Sequence, residues 1–288
     1  MIRLFRLFQW LSRWPLRSLH ALGSVLGWLT YAASPAYRRR FHANADQAGV
    51  SRAAARPAIA QAGRLVAELP FLWLRPAAEP LRAQLHWEGL ELIVAALQLG
   101  RGVLLLTPHM GSFEVTAQAC AQSLAAEFGP ITVLYRPARK ALLRELMDGA
   151  RERPGVVTAP ATLAGVRQML RALRRGGLVG LLPDQVPPDG MGVWVPFFGK
   201  PAYTMTLAAR LVAQTGATPL LIWGERLARG AGYTVRVSAL PQALPSVDPG
   251  QAESAALINR AMEQLILQCP QQYLWGYHRY KTPRRSDA

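Results

Sequence analysis

The stretch Leu104-Leu105-Leu106-Thr107-Pro108-His109-Met110-Gly111-Ser112-Phe113-Glu114 passes from an unbroken aliphatic segment into a turn and then toward a helix. An all-apolar run stopped by a proline predicts a strand over 103–107 that is buried on both faces, as in a parallel sheet. Gly111 permits a tight turn and close backbone approach. Ser112 suits the N-cap of a helix over 113–128, with Glu114 in its first turn. His109 therefore stands just past a strand end, where open α/β sheets place their sites. On one helix, residues five apart diverge by about 140°, so His109 must curl back within the turn to meet Glu114. The carboxylate would then fix one ring nitrogen and leave the other as a general base. On spacing alone, a loop histidine beside a carboxylate favoured at a helix N-terminus accounts for the pair better.

Outward from this stretch the pattern alternates. Helices are predicted over 89–99, 140–150, 163–174, 203–214 and 251–268, and strands over 131–135, 156–158, 178–182, 218–223 and 233–238. Strands alternating with helices of this length predict an α/β fold with a mostly parallel central sheet flanked by helices, here 81–288. Residues 1–40 interleave apolar and aromatic side chains with Arg3, Arg6, Arg13 and Arg17. An uncharged run over 19–36 follows and ends in Tyr37-Arg38-Arg39-Arg40. That run sits at the short limit of the roughly 20 residues that span a bilayer. Trp10, Trp14 and Trp28, with arginines on both flanks, suit the headgroup level. The first 40 residues are thus expected to be a membrane-anchoring helical region, either spanning the bilayer or lying on it. Residues 41–80 are expected to be helical, with Ser51 as an N-cap and a break at 76–80 before the α/β domain.

Thirty-three Lys and Arg against 17 Asp and Glu give a net charge of +16. Such an excess calls for an anionic partner: nucleic acid, a membrane surface, or acidic lipid and carrier substrates. No helix-turn-helix, zinc or aromatic-basic RNA signature accompanies the charge, and the basic residues cluster near apolar runs. These features speak against nucleic acid and leave a non-catalytic membrane scaffold as the other non-enzymatic reading. Cys120 and Cys269 form no CxxC pair and read as inert core thiols. The five histidines lack ligand partners at helical spacing, so no metal site is expected.

Four blocks decide among these classes: GRGVLLLTPHMGSFE (100–114), LYRPARKALLRELMDGARER (134–153), DQVPPDGMGVWVPFFGKPAYT (184–204) and PQQYLWGYHRYK (270–281). His-x4-Glu after an apolar strand resembles the first motif of the lysophospholipid (glycerolipid) acyltransferase superfamily. The blocks together, in order, resemble its late acyltransferase branch of lipid A biosynthesis. Many relatives carry Asn-Trp where this chain has Ser112-Phe113, which bears on the shape of the turn.

The resemblance implies a membrane-associated acyltransferase at the cytoplasmic face of the bacterial inner membrane. Its donor would be an acyl carrier protein or coenzyme A thioester, and its acceptor a hydroxyl of an anionic lipid A precursor. Another glycolipid or a lysophospholipid is the alternative acceptor. No cofactor is implied. His109 would take the hydroxyl proton, with Glu114 orienting it. Arg151 is the closest match to the family's site arginine, and Arg136 and Arg153 are further candidates for phosphate or oxyanion contacts. Asp184 matches a functional acidic residue and is open to positioning a histidine, an arginine or the substrate hydroxyl, with Gln185 beside it. Trp194, Phe197 and Phe198 either line an acyl groove or belong to the core. Tyr273, Trp275, His278 and Arg279 are expected to close one edge of the sheet.

Overall fold

Val103–Leu106 is the strand the sequence calls for, and its four side chains are all buried. A computed structural model describes residues 2–76, 81–135, 153–245 and 247–284 of the 288-residue chain. In chain order the strands are β1 (Leu85–Glu88), β2 (Val103–Leu106), β3 (Ile131–Tyr135), β4 (Val156–Pro160), β5 (Leu178–Leu181), β6 (Gly192–Phe197), β7 (Lys200–Met205), β8 (Thr218–Arg226) and β9 (Tyr233–Ala239). Seven of them form one sheet in the order β1-β9-β8-β2-β5-β3-β4. Every pairing is parallel except β8 with β9, so the sheet is mostly parallel, with β2 at its centre.

The described helices are α1 (Ile2–Leu11), α2 (Leu16–Ala33), α3 (Pro35–Gln47), α4 (Arg52–Ala55), α5 (Ala58–Leu74), α6 (Leu90–Gln98), α7 (Phe113–Phe128), α8 (Leu163–Arg174), α9 (Leu207–Thr215) and α10 (Ala252–Gln268). They cover both faces of the sheet. Leu104, Leu106, Val179 and Leu181 face α8, α9 and α10. Val103, Leu105, Leu178, Ile131 and Ile222 face α2, α5, α6 and α7. Opposite faces alternate along each strand, so β2 needs aliphatic residues at every position. Ser51 caps α4 by accepting from the Ala54 N–H, as expected. Ser112 occupies the N-cap position of α7 without a side-chain cap bond.

Two sequence expectations change, and a third falls outside the described residues. Residues 200–205 are strand β7, not the first turn of a helix that starts at 203. They pair antiparallel with β6 as a separate hairpin, and α9 starts only at Leu207. The hairpin turn has Phe198 at φ 48° followed by Gly199 at φ 73°, the left-handed conformations that reverse a chain tightly. The helix expected over 140–150 lies outside the described residues. Finally, no helix among the described residues is long and apolar enough to cross a membrane. One face of α2 instead buries Leu16, Leu19, His20, Gly23 and Gly27. The two glycines meet Gly63 of α5 so closely that a Cβ on Gly63 would lie 1.9 Å from the Gly23 carbonyl oxygen.

Candidate functional site

Beyond β2 the chain turns through 107–112 before entering α7, and neighbouring backbone holds this turn on all sides. Thr107 N–H donates to the Leu181 carbonyl (3.2 Å), Gly111 N–H to that of Gln272 (2.9 Å) and Ser112 N–H to that of Gly224 (2.7 Å). The His109 carbonyl accepts from Leu274 N–H at 3.2 Å. Met110 forms an antiparallel bridge with Tyr273. Gly111 is required twice over: its φ is +55°, and a Cβ there would lie 2.0 Å from the Gly224 carbonyl oxygen. The C-terminal block thus braces the turn beyond the central strand rather than closing a sheet edge, since β1 and β4 are the edge strands. His278 is exposed. The buried Arg279 donates to the Tyr203 carbonyl and to Thr204 Oγ1, tying the hairpin to the C-terminal block.

Asp184 follows β5, the parallel neighbour of β2, so the two strands deliver their C-terminal ends side by side. The carboxylate takes two bonds from His109: backbone N–H to Oδ2 at 2.8 Å and ring Nδ1 to Oδ1 at 2.6 Å. A carboxylate only accepts, so Nδ1 carries the proton, and Nε2 presents a lone pair to the Gln185 side-chain amide at 2.9 Å. Burial pushes the Asp184 carboxyl up, but the charge and bonds of His109, with Arg279 behind, hold it below the usual aspartate range. Asp184 is 2% exposed, whereas the His109 side chain keeps 17% of its surface. The pair therefore has a buried orienting end and an accessible basic end.

This geometry corrects the sequence reading of Glu114. Both ring nitrogens of His109 are engaged by Asp184 and Gln185. The Glu114 carboxylate accepts from the Trp73 indole N–H at 3.2 Å. The turn aims the His109 ring at the end of β5, while the first turn of α7 aims Glu114 at α5. Phe113, next to Glu114 in the chain, packs edge-on to the imidazole with ring centroids 4.8 Å apart. Of the three roles open to Asp184, the structure fits positioning a histidine.

His109, Gln185 and Glu114 border a cleft of about 410 Å3 over the ends of β2, β3 and β5. Its remaining walls are chiefly apolar, with Leu105, Val133, Val156, Val166 and Ile222 contributing. Arg153 also lines the cleft and donates to the backbone carbonyls of Trp73 and Arg75. Burial, with Arg75 nearby, lowers its pKa. Arg136 and Arg151 lie outside the described residues. The three aromatic groove candidates are elsewhere. Phe197 is in the core and Trp194 is exposed, Phe198 sits in the hairpin turn, and none of the three borders the cleft. The apolar walls are instead formed by aliphatic side chains of the sheet and its helices, with Trp73, Phe113 and Tyr135.

Sequence reasoning passed over a second polar cluster. Glu68 of α5, with no exposure, accepts from both Nε and Nη2 of Arg226 (2.8 and 2.7 Å), from the Tyr233 hydroxyl (3.1 Å) and from His20 Nε2 (3.0 Å). Burial pushes Glu68 up, but the charge and bonds of Arg226, followed by those of His20, hold it at about 2. One signal was available: Glu68 is the only acidic residue of helix 58–74, whose other polar side chains are Gln61 and Arg64. Cys120 and Cys269 are free and buried, and burial pushes both thiols up to about 12.

Residues 6–282 match the family model described as bacterial lipid A biosynthesis acyltransferase. The chain is 27% identical over 221 residues to a lipid A biosynthesis palmitoleoyltransferase of Escherichia coli, covering 76% of this chain and 69% of that one. It is 28% identical over 198 residues to the lauroyltransferase of the same organism, covering 67% and 61% of the two chains. A lipid A biosynthesis acyltransferase of Haemophilus influenzae is 27% identical over 207 residues, covering 72% and 62%.

Proposed function

Because the chain belongs to the bacterial lipid A biosynthesis acyltransferase family and is an acyltransferase, we propose that it moves a fatty acyl group from an acyl carrier protein thioester to a hydroxyl of a lipid A precursor, with His109 as the general base and Asp184 as its orienting carboxylate. One observation carries the assignment of the base. Asp184 holds the Nδ1–H tautomer and leaves Nε2, on the cleft side, with its lone pair. The acceptor hydroxyl replaces the Gln185 amide at Nε2, gives up its proton there and attacks the thioester carbonyl. A C–O bond forms as the carbonyl π pair moves to oxygen. When the tetrahedral intermediate collapses, the C–S bond breaks and the thiolate leaves with the proton from Nε2. Asp184 stays ionised throughout and stabilises the transient imidazolium.

Gln185, displaced from Nε2, keeps its amide N–H groups close to the reacting carbonyl, where a donor stabilises the developing oxyanion. The aliphatic walls of the cleft suit an acyl chain, which contributes about 0.8 kcal/mol per buried CH2. Glu114 and Arg153 form a second polar wall around Trp73 and suit the polar parts of the substrates. The +16 charge favours three anionic partners: carrier protein, phosphorylated glycolipid and the cytoplasmic leaflet. Leu7 and Trp10 of α1, with Val25, Trp28 and Leu29 of α2, are exposed apolar residues on neighbouring helices. They support attachment in which these helices lie at the inner-membrane surface, not across it.

The experiment is in vitro transfer with a panel of acyl carrier protein and coenzyme A thioesters and lipid A precursors, with products weighed by mass spectrometry. The expected product is the acceptor plus one acyl group, with carrier protein preferred as donor. Acylation of a lysophospholipid in preference to every lipid A precursor would overturn the acceptor assignment.

A further inference from the structure

Arg226 ends β8 with a guanidinium that is 1% exposed, and it serves three partners at once. Nε and Nη2 fork onto Glu68, Nη1 donates to Gln61 Oε1 at 2.8 Å, and Nη2 also donates to the Gly111 carbonyl at 2.9 Å. Gly111 is two residues from His109, inside the turn that carries it. The backbone of Arg226 is fixed as well: its N–H donates to Gln272 Oε1 (2.9 Å) and its carbonyl accepts from Gln272 Nε2 (3.0 Å). Gln272 in turn offers its own carbonyl to Gly111 N–H. Both backbone polar groups of Gly111, its N–H and its carbonyl, are therefore held by one coupled pair, Gln272 and Arg226.

A buried guanidinium is costly unless its partners are well placed, and here a carboxylate from α5 provides the compensation. Helix α2 adds His20 to the same carboxylate, and β9 adds Tyr233. The ion pair thus joins the N-terminal helices to the turn that carries His109.

We propose that Arg226, anchored by Glu68, is a positioning residue that sets the placement of the His109 turn through the Gly111 carbonyl. The proposal rests on His109 being the base. A lysine at 226 can neutralise Glu68, but its compact ammonium cannot hold the carboxylate fork, Gln61 and Gly111 together. A small displacement of a catalytic group costs up to about 100-fold in rate.

The test measures kcat and KM of wild type, Arg226→Lys, Arg226→Met, the double variant Glu68→Gln/Arg226→Met and His109→Ala, together with thermal unfolding. Rates are taken well below Tm and normalised to folded protein by circular dichroism. Arg226→Lys is expected to lose about 10- to 100-fold in kcat at unchanged KM. The double variant removes the buried charge imbalance, so its Tm should exceed that of Arg226→Met alone while its kcat stays low. Wild-type kcat in folded Arg226→Lys, or recovery of kcat together with Tm in the double variant, would overturn the proposal and leave a purely structural ion pair. Retained activity in His109→Ala would instead overturn the base assignment, so the two failures are distinguishable.

Discussion

Among the described residues, two histidine–carboxylate pairs share a similar geometry and sit in different surroundings. His109 meets Asp184 at 2.6 Å and His20 meets Glu68 at 3.0 Å, and both carboxylates are buried. The difference lies in which nitrogen is engaged and what surrounds the pair. His109 gives Nδ1 to its carboxylate and keeps Nε2 on the cleft side. His20 gives Nε2 to a carboxylate already saturated by Arg226 and Tyr233, and its side chain is only 5% exposed. Burial lowers the His20 pKa, with Glu68 opposing and Arg226 and Arg64 adding to the shift. A histidine–carboxylate contact therefore defines a base only when the second nitrogen can be reached by substrate.

Substitutions can break or sharpen this contrast. His109→Ala should lower turnover by about 10⁴-fold, the upper range for general-base catalysis, with Tm unchanged. Steady-state transfer assays with calorimetry would check both. Asp184→Asn keeps the shape but frees the ring to adopt the other tautomer, and a loss of about 10³-fold in kcat is expected. Gln185→Leu removes the amide that meets His109 Nε2 and that, in the proposed mechanism, faces the oxyanion. Its expected loss is about 100-fold in kcat, read in single-turnover experiments. His20→Gln should leave kcat intact and cost about 1 kcal/mol of stability through one buried hydrogen bond, measured by denaturant unfolding. Equal catalytic losses at His20 and His109 would erase the distinction.

A last contrast concerns pH. Glu68 is held at about 2 in the folded protein against an ordinary 4.5. Its contribution to stability is complete above 4.5 and is lost as pH falls toward 2, because the unfolded chain takes up the proton first. Unfolding free energy measured across that window should fall less steeply in Glu68→Gln than in wild type.

The parallel sheet was legible because β2 and β5 are aliphatic at nearly every position, and the glycine and proline punctuation placed most of their helical neighbours. His109 was legible as the residue just past the central strand. Its carboxylate was misread because Glu114 is close in sequence, whereas Asp184 is close through parallel pairing of β2 with β5. The Asp184-Gln185 pair at a buried strand end was the available sign. The β6–β7 hairpin was hidden by its prolines and glycines, which also suit a stiff loop. The Arg226–Glu68–Gly111 linkage joins positions more than 100 residues apart in sequence, and no local pattern encodes it.

The most direct measurement is ¹⁵N NMR of the histidine rings in wild type, Asp184→Asn and Glu114→Gln, with His109→Ala assigning the signal. The expected result is a neutral Nδ1–H tautomer for His109 in wild type and in Glu114→Gln, lost in Asp184→Asn. A tautomer that survives Asp184→Asn but changes in Glu114→Gln would contradict Asp184 as the residue that orients the base.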